Sequence, residues 1–168
     1  MVYFSQMRAL DRPLAHWRKV TAMYPVFETQ DFYPLSQLYH DSGLEVKPSH
    51  DTPPGTLAML RCEEPGTGRL LAAATLQMRA ETHFVLAHLA VVPDLRGTGL
   101  GTRLLALAED RARELGAREI WLVGKVPGFY ARHQWRTIAR EDAPPISRCL
   151  TCEQFQVDCF PSIMKKTL

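Results

Sequence analysis

The sequence of 168 residues predicts a mixed α/β domain, and three observations carry that prediction. Residues 86–115 read as strand, glycine turn and helix. Leu86, Leu89, Val91 and Val92 form an apolar run closed by Pro93, which cannot donate to a ladder. Arg96-Gly97-Thr98-Gly99-Leu100-Gly101 is a glycine-rich turn, after which Leu100, Leu104, Leu107, Ala108, Arg111, Ala112 and Leu115 recur at helical spacing as far as a stop at Gly116. Second, residues 119–123 (EIWLV) form a buried strand after that helix, and strand–helix–strand succession requires a right-handed crossover and a parallel pairing. Third, residues 56–62, 70–79 and 83–92 read as antiparallel strands joined through turns at 64–68 and 80–82.

The remaining elements follow in chain order. Residues 1–6 (MVYFSQ) alternate weakly and predict an opening strand. Asp11 is a good N-cap and Pro13 is tolerated in a first turn, so Leu14, Trp17, Val20 and Thr21 predict one face of a helix ending near Met23. A second helix is predicted from about Asp31 to Ser42, with Leu35, Leu38 and Tyr39 inward and Gly43 as its stop. Residues 48–55 (PSHDTPPG) are a loop by composition. Residues 135–139 and 162–167 predict two final strands.

Length fits one domain over residues 1–168 with a proper core. Twenty basic residues against 18 acidic ones leave the chain near neutral, with no basic block that would argue for nucleic acid. Neither a signal peptide nor a membrane span is read in the opening residues, which makes the cytoplasm the expected compartment and reduced thiols the expected state of the four cysteines.

The glycine turn aims backbone N–H groups and the positive end of a helix dipole at one point, and such a point binds phosphate. A Walker P-loop is excluded because no Lys-Ser or Lys-Thr follows Gly101, and the spacing of Gly97, Gly99 and Gly101 is wrong for a dinucleotide fingerprint. What remains, Arg96-x-x-Gly99-x-Gly101 after a V-x-P strand end, resembles the acyl-CoA-binding motif of the GNAT N-acetyltransferases. Residues 128–136 (GFYARHQWR) resemble that family's second signature, F-Y-x-x-x-G-F, in the right order and at a suitable separation.

The resemblance implies a GNAT fold: a mixed, mostly antiparallel sheet of six to seven strands, with a splayed parallel pair and about four flanking helices. It implies an acyl-CoA-dependent N-acetyltransferase with acetyl-CoA as cosubstrate. The pantetheine arm would lie in the splay, pairing with backbone near Leu89 and Val91. Pyrophosphate would rest on the turn Arg96, Gly97, Thr98, Gly99, Leu100 and Gly101, with Thr98 or Thr102 adding a hydroxyl. Tyr130 matches the family's tyrosine near the sulfur and is the candidate general acid. Gln134 replaces the expected glycine, which predicts a different ending for that helix, and the loop at 124–127 is short and lacks the family's common asparagine.

A general base is less legible. Glu81, His83, His88 and Glu119 lie on or near the central strands, and His88 is singled out because it interrupts an apolar run just before the splay. The acceptor is expected to be a small or medium amine, or a protein amine, from the aromatic and polar set Trp17, Phe32, Tyr33, Tyr39, His40 and Asp41; a homodimer is compatible with the resemblance. Residues 141–161 form a cysteine-containing variation within the domain. Cys149, Cys152 and Cys159 have spacings a zinc site could use, with Cys62, His83 or His133 needed as a fourth ligand; structural cysteines are the preferred reading and no metal ligand is assigned. The alternative function is a non-catalytic acyl-CoA sensor or a cysteine-based metal or redox module.

Overall fold

A computed structural model describes residues 23–168. The opening strand at 1–6 and the first predicted helix, with Trp17, lie outside these residues. Seven strands form one sheet: β1 (Val26–Glu28), β2 (Thr56–Glu63), β3 (Leu70–Arg79), β4 (His83–Val91), β5 (Glu119–Gly124), β6 (Arg136–Thr137) and β7 (Ser162–Thr167). Their order in space is β1-β2-β3-β4-β5-β7-β6. All neighbours are antiparallel except β4 and β5, the parallel pair that the crossover requires. The described residues hold three α-helices: α1 (Phe32–Asp41), α2 (Leu100–Glu114) and α3 (Pro127–Ala131).

β3 is the centre of the sheet, and its side chains alternate between two packed faces. Ala72, Ala74 and Leu76 face α2, meeting Leu100, Leu104, Leu105 and Ala108. Ala73 faces α1 together with Phe32, Leu35, Tyr39, Met59 and Ala90. Alanine in a run of three lets both helices approach the sheet closely. α1 starts where Asp31 accepts from the Tyr33 N–H at 3.2 Å, and the chain leaves it through Gly43 at φ +79°. A third cluster, Val85, Trp121, Ile146, Phe155 and Ile163, fastens the C-terminal loop to the seam between β4 and β5.

One observed strand was not predicted and one predicted strand is shorter than expected. β1 has only three residues, too few to show alternation beside Pro25. β6 has only two, against the five predicted at 135–139. Trp135 turns into the core, where its Nε1–H donates to Glu109 Oε1 at 2.9 Å, and Arg140–Asp142 coil into a 3-10 turn. Glu109 is itself a residue the helical spacing did not mark: it is 5% exposed and also accepts from Lys166 Nζ at 2.6 Å, tying α2 to the last strand. Arg111, assigned inward by spacing, instead pairs with Glu28 and Glu114.

α3 ends in a Schellman closure, with the Trp135 N–H donating to Tyr130 O at 3.2 Å and the Gln134 N–H to Ala131 O at 3.1 Å. Gln134 sits at φ 68°, the left-handed conformation that glycine adopts without strain. The missing glycine therefore leaves the geometry of the ending unchanged and adds strain instead. Gln134→Gly is expected to raise unfolding stability by up to about 1 kcal/mol, and Gln134→Val to lower it, in urea titrations followed by circular dichroism.

Candidate active site

β4 and β5 are registered at a single pair, Val85 with Trp121. Beyond it no residue of β4 is paired with β5, so the facing backbone groups of both strands are left for another partner. On its other edge β4 carries a bulge. Thr75 pairs with His88 and Leu76 with Leu86, so Ala87 is an extra residue without a partner on β3. A cavity of about 650 Å³ fills the opening, walled by residues 86–91 of β4 and 122–126 at the end of β5. Sequence reasoning placed Leu89 and Val91 on this wall, and both line it.

The glycine turn closes one end of the cavity. Gly97 (φ 78°) and Gly99 (φ 92°) take left-handed conformations, and Gly99 caps α2 without any side-chain acceptor for the first-turn N–H groups. Arg96, Gly97, Gly99, Gly101 and Thr102 all line the cavity. Arg96 is anchored by its Nε–H, which donates to Val91 O at 3.1 Å. A Cβ on Gly101 would stand 3.5 Å from Val91 Cγ2 and 3.7 Å from Phe129 Cζ, in ordinary van der Waals contact at the cavity wall. The Thr102 hydroxyl lies 3.2 Å from His133 Nε2.

Two residues of the turn do not point at the cavity. The Thr98 hydroxyl donates to Leu95 O at 2.6 Å, stabilising the turn itself. Leu100 is 3% exposed because its side chain belongs to the core face of α2, leaving only its backbone N–H near the turn.

Tyr130 stands across the cavity on α3, its ring against Phe129 and Trp135 at centroid distances of 5.0 and 5.8 Å. Gly124 makes room for it, since a Cβ there would lie 3.2 Å from Tyr130 Cε2 and 3.1 Å from Leu122 Cδ1. Burial pushes the phenol up to about 12, so it keeps its proton at neutral pH and acts as a donor.

A second cavity, about 580 Å³, adjoins the first through Leu86, Ala87, His88, Val123, Gly124 and Lys125, which line both. None of residues 96–102 reaches it; Arg79, Ile146, Cys149 and Cys159 do. Of the four candidate bases, His88 alone stands on this shared wall. Its ring stacks on Tyr39 at 4.7 Å, and Tyr39 is fixed by a 2.9 Å hydrogen bond between its hydroxyl and that of Thr75. Burial, reinforced by the charge of Arg79, pushes His88 down to about 4, and its Nδ1 is buried without a partner. Glu119 is held by the Trp121 Nε1–H at 3.0 Å and Lys165 Nζ at 3.2 Å; Glu81 sits in the β3–β4 turn at φ 65°; His83 packs edge-on against Trp121. None of these three lines either cavity.

Of the set expected to select the acceptor, Trp17 lies outside the described residues, and Phe32, Tyr33, Tyr39, His40 and Asp41 do not line the second cavity. Phe32 and Tyr39 are buried on the inner face of α1, and the wall of the second cavity comes instead from residues 44–46, Arg79 and the C-terminal loop. Arg79 ends a strand at an ordinary alternating position, so nothing local in the sequence marks it. Among the described residues no group of three or more His, Cys, Asp or Glu could hold a metal ion, and Cys62 lies apart in the core, where burial raises its thiol to about 11.

A sheet opened between parallel neighbours beside a glycine-turn helix N-terminus is the architecture of an acyl-CoA-binding transferase domain. Residues 16–136 match the Acetyltransferase (GNAT) family, and the chain belongs to that family. No curated protein matches the chain. Among solved structures it is similar to N-acetylglutamate synthase from Neisseria gonorrhoeae complexed with coenzyme A and N-acetyl-glutamate (21% identity, TM-score 0.66), covering 86% of this chain and only 35% of that one. It is also similar to a GNAT acetyltransferase from Staphylococcus aureus (14% identity, TM-score 0.63, 86% and 99% covered). A third is the ribosomal-protein-S18-alanine N-acetyltransferase from Escherichia coli (18% identity, TM-score 0.59, 86% and 94% covered). These likenesses show the fold. No helix among the described residues is long and apolar enough to cross a membrane.

The depressed His88 has a consequence for stability. The unfolded chain takes up this proton near pH 6.5 and the folded one only near 4, so stability is lost as pH falls through that window. His88→Gln is expected to flatten the pH dependence of unfolding free energy between pH 6.5 and 4 by as much as one proton, about 1.4 kcal/mol per pH unit, measured by urea titration at each pH.

Proposed function

We propose that the protein transfers the acetyl group of acetyl-CoA directly to a primary amine, with both substrates bound at once. The observation that carries this reading is the continuity of the two cavities through the wall at His88 and Gly124. One side fits the cofactor: unpaired backbone edges suit an arm rich in amides, and a glycine turn with uncapped N–H groups suits pyrophosphate. The other side leaves room for an acceptor.

When bound, acetyl-CoA supplies an activated carbonyl as a thioester. Leu89 and Val91 would pair through their backbone with its amides, while Gly97, Gly99, Gly101 and Thr102, with Arg96, would hold its phosphates. Backbone N–H groups freed at the Ala87 bulge and the splay would polarise the carbonyl. The amine nitrogen forms the new C–N bond as the C–S bond breaks; one amine proton leaves nitrogen, and the sulfur ends protonated. Tyr130, protonated throughout, donates a hydrogen bond to the departing sulfur. His88, neutral above about pH 4, accepts a hydrogen bond from the attacking amine and orients it. An imidazole of such low basicity is a poor proton acceptor for an ammonium group, so the amine enters as its neutral form. Most of the acceleration is then positioning.

Calorimetric titration with acetyl-CoA is expected to show micromolar binding that Gly99→Trp abolishes, while Tyr130→Phe binds normally and loses about 10- to 100-fold in kcat. No binding by folded wild-type protein overturns the proposal; binding with no transfer to any amine favours a non-catalytic acyl-CoA sensor.

The pH profile is a separate test. With neither His88 nor Tyr130 titrating near neutrality, kcat/KM should climb with pH at unit slope until the acceptor amine itself is deprotonated. A His-like inflection between pH 6 and 7 that disappears in His88→Gln would contradict the orienting role.

A further inference from the structure

The acceptor-side cavity holds positive charge that the cofactor site does not explain. Arg79, half-buried at the end of β3, is clamped in place: its Nε–H and an Nη2–H donate to Gln77 Oε1 at 2.9 and 2.8 Å, and an Nη1–H donates to Ile146 O at 2.8 Å. Gln77 is 4% exposed, so the clamp is itself fixed. A guanidinium has five N–H donors, and three are committed; two remain, one on each Nη. Among the described residues no carboxylate pairs with Arg79, whereas Arg61, Arg69, Arg111 and Arg113 each have one. A half-buried, uncompensated cation costs free energy, and burial accordingly lowers the Arg79 pKa. Such a cation, oriented by neutral acceptors and facing a cavity, is a receptor for an anion.

The rest of the wall has the same sign. Lys125, whose Nζ reaches only the Gly43 carbonyl at 3.4 Å, and Arg148 line the cavity, against one lining carboxylate, Glu45. Because no residue of the glycine turn borders this cavity, an anion bound there is distinct from the cofactor's pyrophosphate. Arg79 and His88 line the same cavity, and the charge of Arg79 is felt at the imidazole, so one small molecule can span the two.

We infer that the acceptor is a small amine bearing a carboxylate, of the amino-acid class, whose carboxylate is gripped by the two free Nη donors of Arg79 while its amino group faces His88. This rests on the acyl-transfer reading above. Two N–H donors on one guanidinium suit a carboxylate, and the cavity of about 580 Å³ is of small-ligand size. A polyamine would meet the like charges of Arg79, Lys125 and Arg148 instead.

The test pairs each of a panel of L-α-amino acids with its methyl ester and its decarboxylated amine, and adds spermidine. Each is titrated calorimetrically into the protein saturated with CoA, which cannot react, and each is assayed with acetyl-CoA by mass detection of the N-acetyl product. At least one amino acid is expected to bind and react at least 10-fold better than its ester and amine counterparts. Arg79→Gln should raise the KM for that amino acid by 10- to 100-fold with kcat within a few-fold, and leave the ester unchanged; Arg79→Lys should fall between. Should Arg79→Gln fail to fold, the wild-type preference for acid over ester decides the matter, with Arg148→Gln as a second, milder variant expected to lower it. Acetyl-CoA binding with transfer only to esters, neutral amines or spermidine, or to no carboxylate-bearing amine, overturns this inference and leaves the cofactor site standing. Absence of CoA binding overturns the acyl-transfer reading and this inference with it.

Discussion

The structure depends on a ladder that stops. β4 and β5 meet at Val85 and Trp121 and then part, so a seven-stranded sheet contains an internal edge. Unpaired backbone polar groups in a sheet interior are costly unless something satisfies them. Here the open edge is kept from zipping by what fills it from either side. Tyr130 lies against Gly124 at the end of β5, and the bulge at Ala87 bends β4. The cofactor arm proposed to lie there would take over hydrogen bonds that a sixth inter-strand ladder would otherwise make.

An opened sheet must be held together by other means, and the two halves are bridged above and below the opening. α2 lies on β2, β3 and β4, and its apolar stripe shares one core with Leu60, Ala72 and Ala74 on that side and Ile120 and Leu122 of β5 on the other. The buried carboxylate of Glu109 then collects Trp135 and Lys166, fixing α2 to the β7 side. Removing either donor would leave the buried Glu109 carboxylate short of a partner, which is why this network is a stronger constraint than its surface counterparts such as Arg113 with Asp110. On the far side Ile146, Phe155 and Ile163 pack across Val85 and Trp121, and the Ile146 carbonyl holds Arg79. The cysteine-bearing loop thereby becomes a wall of the second cavity, without any metal cluster among the described residues.

What the sequence made legible was local. Gly97 and Gly99 suit their left-handed φ values, Leu104 and Ala108 announced a helix by spacing, and Arg96-x-x-Gly99-x-Gly101 tied both to a glycine turn at a helix N-terminus. The strands of β3 and β7 were readable to the residue because long apolar or alternating runs sit between clear turns. What stayed hidden depends on distant partners. Glu109 looks like any charged helix residue until Trp135 and Lys166 arrive; Thr98 looks like a ligand contact until its hydroxyl turns to Leu95. Arg79 gains meaning only because Gln77 and a carbonyl 67 residues away orient it. Gln134 shows the converse: a residue that breaks a motif in sequence can keep its geometry, since the Schellman hydrogen bonds hold a left-handed residue in place at some cost in strain.

The two side chains nearest the proposed chemistry are both driven away from neutrality-range titration, the phenol upward and the imidazole downward, and by the same cause, burial. That is an unusual choice for a site built on proton exchange, where pKa values are brought toward the working pH. It is the expected choice for a site that binds one neutral nucleophile against one carbonyl and lets the protons follow. A protonated Tyr130 and an unprotonated His88 present a fixed donor and a fixed acceptor at every physiological pH. The geometry of the amine relative to the thioester then does not fluctuate with ionisation. The consequence is that the amine must shed its own proton before it attacks, so the proposed reaction follows the ionisation of the acceptor rather than that of the protein.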